Sequence, residues 1–235
     1  VWAFIHEFRD GVVESLSKKI DFIIIYGSAV RGEFVPGKSD VDIVFQVFKK
    51  TDKEIVEKEA TKLFWATAKK YPELGFERSL STSKTKKRNA VNKVLENMEK
   101  KAGLYVPVFV FVKGDIDWEK GLLVSGSFAQ EIGKRLLLPQ RSIFLRFKQE
   151  GELLYGRDIR KVIKIKLTLL DRMRLGIVPQ IVSFGGILVA LVLPGKAVGY
   201  ATKALLYQTD SLLTALDQYG RLQREEKITK SKEFL

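Results

Sequence analysis

Cysteine is absent from the 235 residues, and histidine occurs once, as His6. The first absence excludes disulfides and thiolate metal sites. The second removes Ser-His-Asp and Cys-His catalysis and zinc sites built from several histidines. His6 falls in an amphipathic N-terminal stretch, which gives it a structural part. Acid is in deficit: 28 Asp plus Glu stand against 41 Lys plus Arg, a formal net charge of +13. That surplus favours polyanionic partners such as nucleotides, RNA, DNA or an acidic surface. It equally describes a solvated, lysine-rich exterior. Long apolar runs are missing too. Ile177 to Leu193 is 17 residues, holds Pro179, Gln180, Ser183, Gly185 and Gly186, and falls short of the roughly 20 that span a bilayer. The expectation is a buried helix of a small bundle, with no membrane partner. Trp2 to Lys19 carries charges throughout and lacks the apolar core of a signal peptide. A cytoplasmic protein is expected, and abundant Lys and Glu without Cys fits a thermophile.

Apolar residues make up 46% and charged residues 29%, a balance that builds a folded core rather than a disordered chain. Residues 2–19 have helical periodicity, with Phe4, Ile5, Phe8, Val12, Val13 and Leu16 on one face. Ile20 to Tyr26 is the continuous apolar run of a strand buried on both sides. A short helix over Ser28 to Glu33, a loop at Pro36–Ser39 and a second strand over Val41 to Phe48 follow. A helix from Thr51 to about Tyr71 points Ile55, Val56, Leu63, Phe64 and Ala68 inward, and Pro72 to Gly75 ends it. Phe76 to Leu80 suits a short strand. Residues 84–102 suit a helix whose basic face either tracks a phosphate backbone or is simply solvated. Leu104 to Lys113 is a third strand, with Pro107 marking an edge or bulge. Residues 127–138 suit a helix, and Ser142 to Lys148 suits either a strand or a helix end. Beyond Asp158 the pattern is helical. Trp2, Trp65 and Trp118 fit core or core-edge positions.

The most informative stretch is FIIIYGS at 22–28, followed by SDVDIVF at 39–45. Residues i and i+2 of a strand share a face, so Asp40 and Asp42 point the same way and suit hard cations such as Mg²⁺, with Mn²⁺ as the alternative. Asp42 interrupts a strand that should be buried, where an unpartnered carboxylate is costly. At the Gly-Ser turn, Gly27 admits close backbone approach to phosphate. Ser28 offers a hydroxyl and an N–H, and Arg31 offers charge to a departing pyrophosphate. Metal and triphosphate side by side read as nucleotide chemistry. Two partial copies lack a partner motif: Ser125-Gly126-Ser127 has no paired carboxylates after it, and Asp115-Ile116-Asp117 sits in a turn-like context.

The segment IIIYGSAVRGEFVPGKSDVDIVF resembles the signature of the DNA polymerase beta-type nucleotidyltransferase superfamily. Its small archaeal and bacterial members carry Gly-Ser-x-x-Arg-Gly ahead of Ser-Asp-x-Asp, matched here by Gly27, Ser28, Arg31, Gly32, Ser39, Asp40 and Asp42. Glu150 to Asp158 resembles the EG-x-x-LYG segment that closes the catalytic domain in many of them. The resemblance implies an α/β (α+β) fold: a nucleotidyltransferase domain at 1–157 with a mixed sheet flanked by helices, then an all-α bundle at 158–235. It implies Mg²⁺-dependent transfer of a nucleoside monophosphate from an NTP such as ATP to an acceptor hydroxyl, on a small molecule or protein, with release of pyrophosphate. Asp40 and Asp42 would hold two ions, while Gly27, Ser28, Arg31 and Ser39 would hold the nucleotide.

Active members also carry a third carboxylate on a later strand, and Tyr105 to Phe111 has no acid there. Asp115, just beyond, is the preferred substitute, and Glu77 is the other. The bundle suits an acceptor pocket or a homodimer contact. Two alternatives stay open: an RNA- or DNA-end nucleotidyltransferase of the CCA-adding type, and a catalytically weak nucleotide-binding component of a toxin–antitoxin pair.

Overall fold

The computed structural model describes residues 1–37, 39, 41–76, 108–124, 140–192, 194–216, 222 and 224–232. Asp40, Glu77, the expected helices at 84–102 and 127–138 and the Ser125-Gly126-Ser127 segment lie outside the described residues. So does the expected strand at 76–80, apart from Phe76. The chain divides into two compact units, Val1–Lys113 with Glu152–Asp158, and Gly114–Gly151 with Ile159–Leu235. It passes between them three times, after Lys113, Gly151 and Asp158.

The first unit opens with helix α1 (Trp2–Leu16), extended by one 3₁₀ turn at Ser17–Lys19. Phe4, Ile5, Phe8, Val12 and Leu16 form its buried stripe, as the helical spacing requires. Strand β1 (Ile20–Tyr26) follows, then the one-turn helix α2 (Ser28–Arg31), strand β2 (Asp42–Val47) and helix α3 (Lys50–Ala68). Helix α3 buries Val56, Ala60, Phe64 and Thr67. Ile55, expected inward, is 45% exposed: one residue before Val56, it lies about 100° round the helix from the buried stripe. Strand β3 (Val108–Val112) completes this stretch of the unit.

The sheet is mixed. Its order is β3-β2-β1-β6, where β6 is Glu152–Gly156. Strand β1 pairs antiparallel with β2 and β6, and β2 pairs parallel with β3. Ile23, Ile25, Ile43, Phe45, Val47, Val108 and Val110 share one core with α1 and α3. The opposite face is buried as well, through Phe22, Ile24, Val44 and Gln46. Burial on both faces explains why β1 reads as an almost unbroken apolar run. Strand β3 occupies the edge that Pro107 announces.

In the second unit, β4 (Ile116–Asp117) and β5 (Leu122–Leu123) make a small hairpin. Helix α4 (Gln140–Glu150) settles the ambiguous Ser142–Lys148 segment as helix. Helices α5 (Leu169–Val192), α6 (Pro194–Ala215) and α7 (Arg224–Lys232) follow. No helix among the described residues is long and apolar enough to cross a membrane. Against the expectation of a buried helix at 177–193, Ile177, Phe184 and Ile187 are more than half exposed; the buried Leu175 of α5 precedes that segment. The described neighbours of α5 cover one face, and the apolar residues run round more of the helix than that face.

Candidate functional site at the rim of the sheet

The ends of the strands fix the site. Tyr26, the last residue of β1, pairs with Asp42, the first of β2, so the Gly-Ser turn leaves the sheet beside the Asp42 carboxylate. Gly27 has φ 88° and ψ −153°, a region that only glycine occupies without strain. A Cβ built there would sit 2.9 Å from Asp42 Oδ2. Glycine is thus required twice, by its backbone angles and by the space that the carboxylate takes. The Gly27 carbonyl accepts from the N–H groups of Val30 and Arg31, at 3.2 and 3.3 Å, which folds Ser28 to Arg31 into α2.

The loop between α2 and β2 is pinned at both ends. Val35 N–H donates to Ser39 Oγ and Ser39 N–H donates to the Val35 carbonyl, each at 2.9 Å. Gly37 N–H reaches the Leu74 carbonyl at 3.0 Å, tying the loop to the turn after α3. Ser39, matched to the nucleotide-binding pattern, therefore also shapes the loop that leads into Asp42. Arg31 Nε donates to Glu33 Oε2 at 2.9 Å, and both side chains are 12% exposed. The second oxygen, Glu33 Oε1, is buried without a hydrogen-bond partner. An anion approaching Arg31 competes with this carboxylate. Glu33 was not anticipated: two residues from Arg31 in a loop, it carries no periodic signal.

Strand β3 presents Phe109 and Phe111 in register with Val44 and Gln46. These lie on the Asp42 face, so the described part of the strand offers no acid there. Glu152 opens β6 at the same rim, yet its partner Ile25 belongs to the helix-facing core. By alternation, Glu152 stands on the face away from Asp42. Asp115 lies in the second unit, in the turn before β4, where its carbonyl accepts from Val124 N–H at 2.7 Å. Among the described residues no group of three or more His, Cys, Asp or Glu is arranged to hold a metal.

The other end of the sheet carries a cluster that sequence reasoning missed. Asp21, 8% exposed, accepts from Arg157 Nη2 and Gln46 Nε2, each at 2.7 Å. Burial pushes the Asp21 carboxyl up. Hydrogen bonds from Arg157 and Gln46, with the charges of Arg157 and Lys113, outweigh that and hold it below the ordinary aspartate value. Gly156, at φ 79°, leaves no room for a Cβ against the Asp21 carbonyl oxygen. The Leu-Tyr-Gly-Arg sequence is therefore a strand end that closes on β1. A lone acid inside the run Ile20–Tyr26 was the available signal, since a buried charge needs a partner.

A family model for the nucleotidyltransferase domain matches residues 5–106, the span holding α1, β1, the Gly-Ser turn, β2 and α3. Comparison with curated proteins and with solved structures finds no significant match. The matched span, the mixed sheet and the Gly27–Asp42 rim agree with one another. Residues 5–106 match a nucleotidyltransferase domain, which supports the polymerase beta-type superfamily, and the domain makes the chain a transferase and implies a nucleoside triphosphate as substrate.

Proposed function

We propose that the chain moves a nucleoside monophosphate from a Mg²⁺-bound nucleoside triphosphate, ATP in the first instance, to an acceptor hydroxyl on a small molecule or protein, releasing pyrophosphate. The observation that carries this reading is the contact between Gly27 and Asp42. A carboxylate at a strand start occupies space that any side chain at residue 27 would fill. Oxygen donors of this kind fit Mg²⁺, with Asp40 and Asp42 as the paired holders. Bound there, Mg²⁺ would neutralise triphosphate charge and lower the pKa of the acceptor hydroxyl. Asp42 fixes one edge of the site, Gly27 lets phosphate reach the backbone, and Ser28 and Ser39 supply hydroxyls. Arg31 exchanges Glu33 for phosphate oxygen when the nucleotide arrives. The second unit holds a cleft of its own, ≈ 420 Å³, lined in part by Gln149, Lys166, Arg172 and Thr214.

The test is transfer of α-phosphate label from ATP into separated metabolite, protein and RNA pools, with pyrophosphate counted alongside. Wild type should label the metabolite or protein pool with Mg²⁺ or Mn²⁺ and stop on chelation. Asp42→Asn should fall to background with unchanged circular dichroism. Undiminished transfer by Asp42→Asn sinks the assignment, and label confined to RNA ends moves the acceptor to nucleic acid.

A further inference from the structure

Helix α5 carries a seam that the described chain leaves open. Leu170, Met173, Ile177, Phe184 and Ile187 are 54%, 62%, 53%, 65% and 61% exposed, and Gln180 between them is exposed too. Their numbers step by 3, 4, 3, 4 and 3, the a/d spacing with which one helix meets another. The opposite side of the same helix is occupied: Leu175 and Asp171 are each 5% exposed, and Asp171 accepts from Arg141 and from Thr168.

We propose that this seam pairs with the same seam of a second copy of the chain, antiparallel, about a two-fold axis between residues 178 and 179. The interface lies in the second unit and does not rest on the proposed reaction. Three observations choose the occupant. First, the spacing reads the same in both directions, so reversal lays Leu170 on Ile187, Met173 on Phe184 and Ile177 on Gln180. A two-fold interface demands such self-complementarity, and this seam meets the demand.

Second, charge sets the orientation. Arg172 and Arg174 lie in the first turns of α5, and no charged residue follows from Leu175 to Val192. Parallel pairing would set the arginines of both copies side by side. Antiparallel pairing puts each set beside the uncharged C-terminal half of its partner, where the helix dipole favours cations. Third, the area reaches that of a small, weak interface. Large apolar side chains cover about 60–120 Å² each, so the seam with neighbouring Leu169, 77% exposed, hides roughly 400–700 Å² per copy. A standard interface takes about 800 Å² per partner.

The chain has no cysteine, so introduced thiols report without background. Light scattering should give a dimeric mass at micromolar concentration. Met173→Glu and Phe184→Glu should each weaken the dimer at least about tenfold while helical circular dichroism persists. Leu170→Cys alone and Ile187→Cys alone should not cross-link, since like positions lie about 25 Å apart along an antiparallel pair. An equal mixture of the two, oxidised after subunit exchange, should give a covalent dimer. A monomeric mass overturns the proposal, whether or not the monomer then floats with anionic vesicles. Cross-linking of each single variant by itself overturns the antiparallel register.

Discussion

The two units spend their apolar residues differently. In the first, α1, α3 and the sheet close around one another, and the large apolar side chains left exposed among the described residues are Val35, Phe48 and Ile55. In the second, Val124, Ile143, Val162, Leu205 and the α5 seam all stand at the surface. The buried polar groups differ in the same sense. The first unit ties Asp21 to Arg157, whose side chain is 46% exposed, so water solvates part of the pair. The second buries Lys227, Glu150 and Asp210, with side-chain exposures of 4%, 1% and 10%. A sheet with both faces covered satisfies its own apolar pattern. A few helices cover only one side of each other, and the remaining stripe needs something else to lie on.

The largest effect expected from testing this contrast is at Lys227. Its Nζ lies 2.9 Å from Asp210 Oδ1 and 4.0 Å from Glu150 Oε1, and Arg146 holds the other Asp210 oxygen at 2.8 Å. One cation thus joins α7 to α6 and α4. Lys227→Met leaves two buried carboxylates short of a counter-charge, a change that costs about 3–5 kcal/mol. Hydrogen exchange should quicken in α4, α6 and α7 and stay unchanged in β1 and β2. Equal acceleration in both units would break the comparison.

A smaller effect, confined to the first unit, is expected at the turn. Gly27→Ala forces a side chain into backbone angles reserved for glycine, at a cost of order 1–3 kcal/mol. It also presses a methyl group onto the Asp42 carboxylate. Activity should fall further than stability does, because the displaced group is the one assigned to the nucleotide site. Denaturant midpoint and nucleotidyl transfer, measured together, separate the two losses. A variant that loses stability but transfers at the wild-type rate would detach the turn from the site.

These expectations also mark what could be read before the structure. The strand, Gly-Ser turn and second strand were legible because burial, turn chemistry and a misplaced carboxylate pointed the same way. Asp42 was found through its cost, since a charge in an apolar strand invites a reason. Asp21 carried the same signal but sat one residue inside the strand, and its partner Arg157 lies 136 residues away, beyond the reach of any local pattern. The place of β6 beside β1 was hidden for the same reason: Leu-Tyr-Gly-Arg reads as a motif, and only pairing shows that its glycine must fit against Asp21. The open seam on α5 was misjudged because apolar periodicity marks a face to be covered and leaves open whether the cover comes from the same chain.

The smallest effect comes from the far end of the sheet, and its sign follows from Asp21. Its carboxyl is held below the ordinary value, so the stabilisation is complete above the unfolded pKa of about 3.9. It is lost as pH falls through the lower folded value. Asp21→Asn keeps the shape but removes the charge that Arg157 and Gln46 face, a loss of about 1 kcal/mol for a pair whose arginine is partly solvated. The variant should therefore unfold more easily than wild type at neutral pH. The gap between their urea midpoints should close as pH drops below about 4, where the wild-type carboxylate takes up its proton. A gap that stayed constant into acid would mean that the aspartate serves β1 through its shape alone, and the contrast in buried charge between the two units would rest on Lys227.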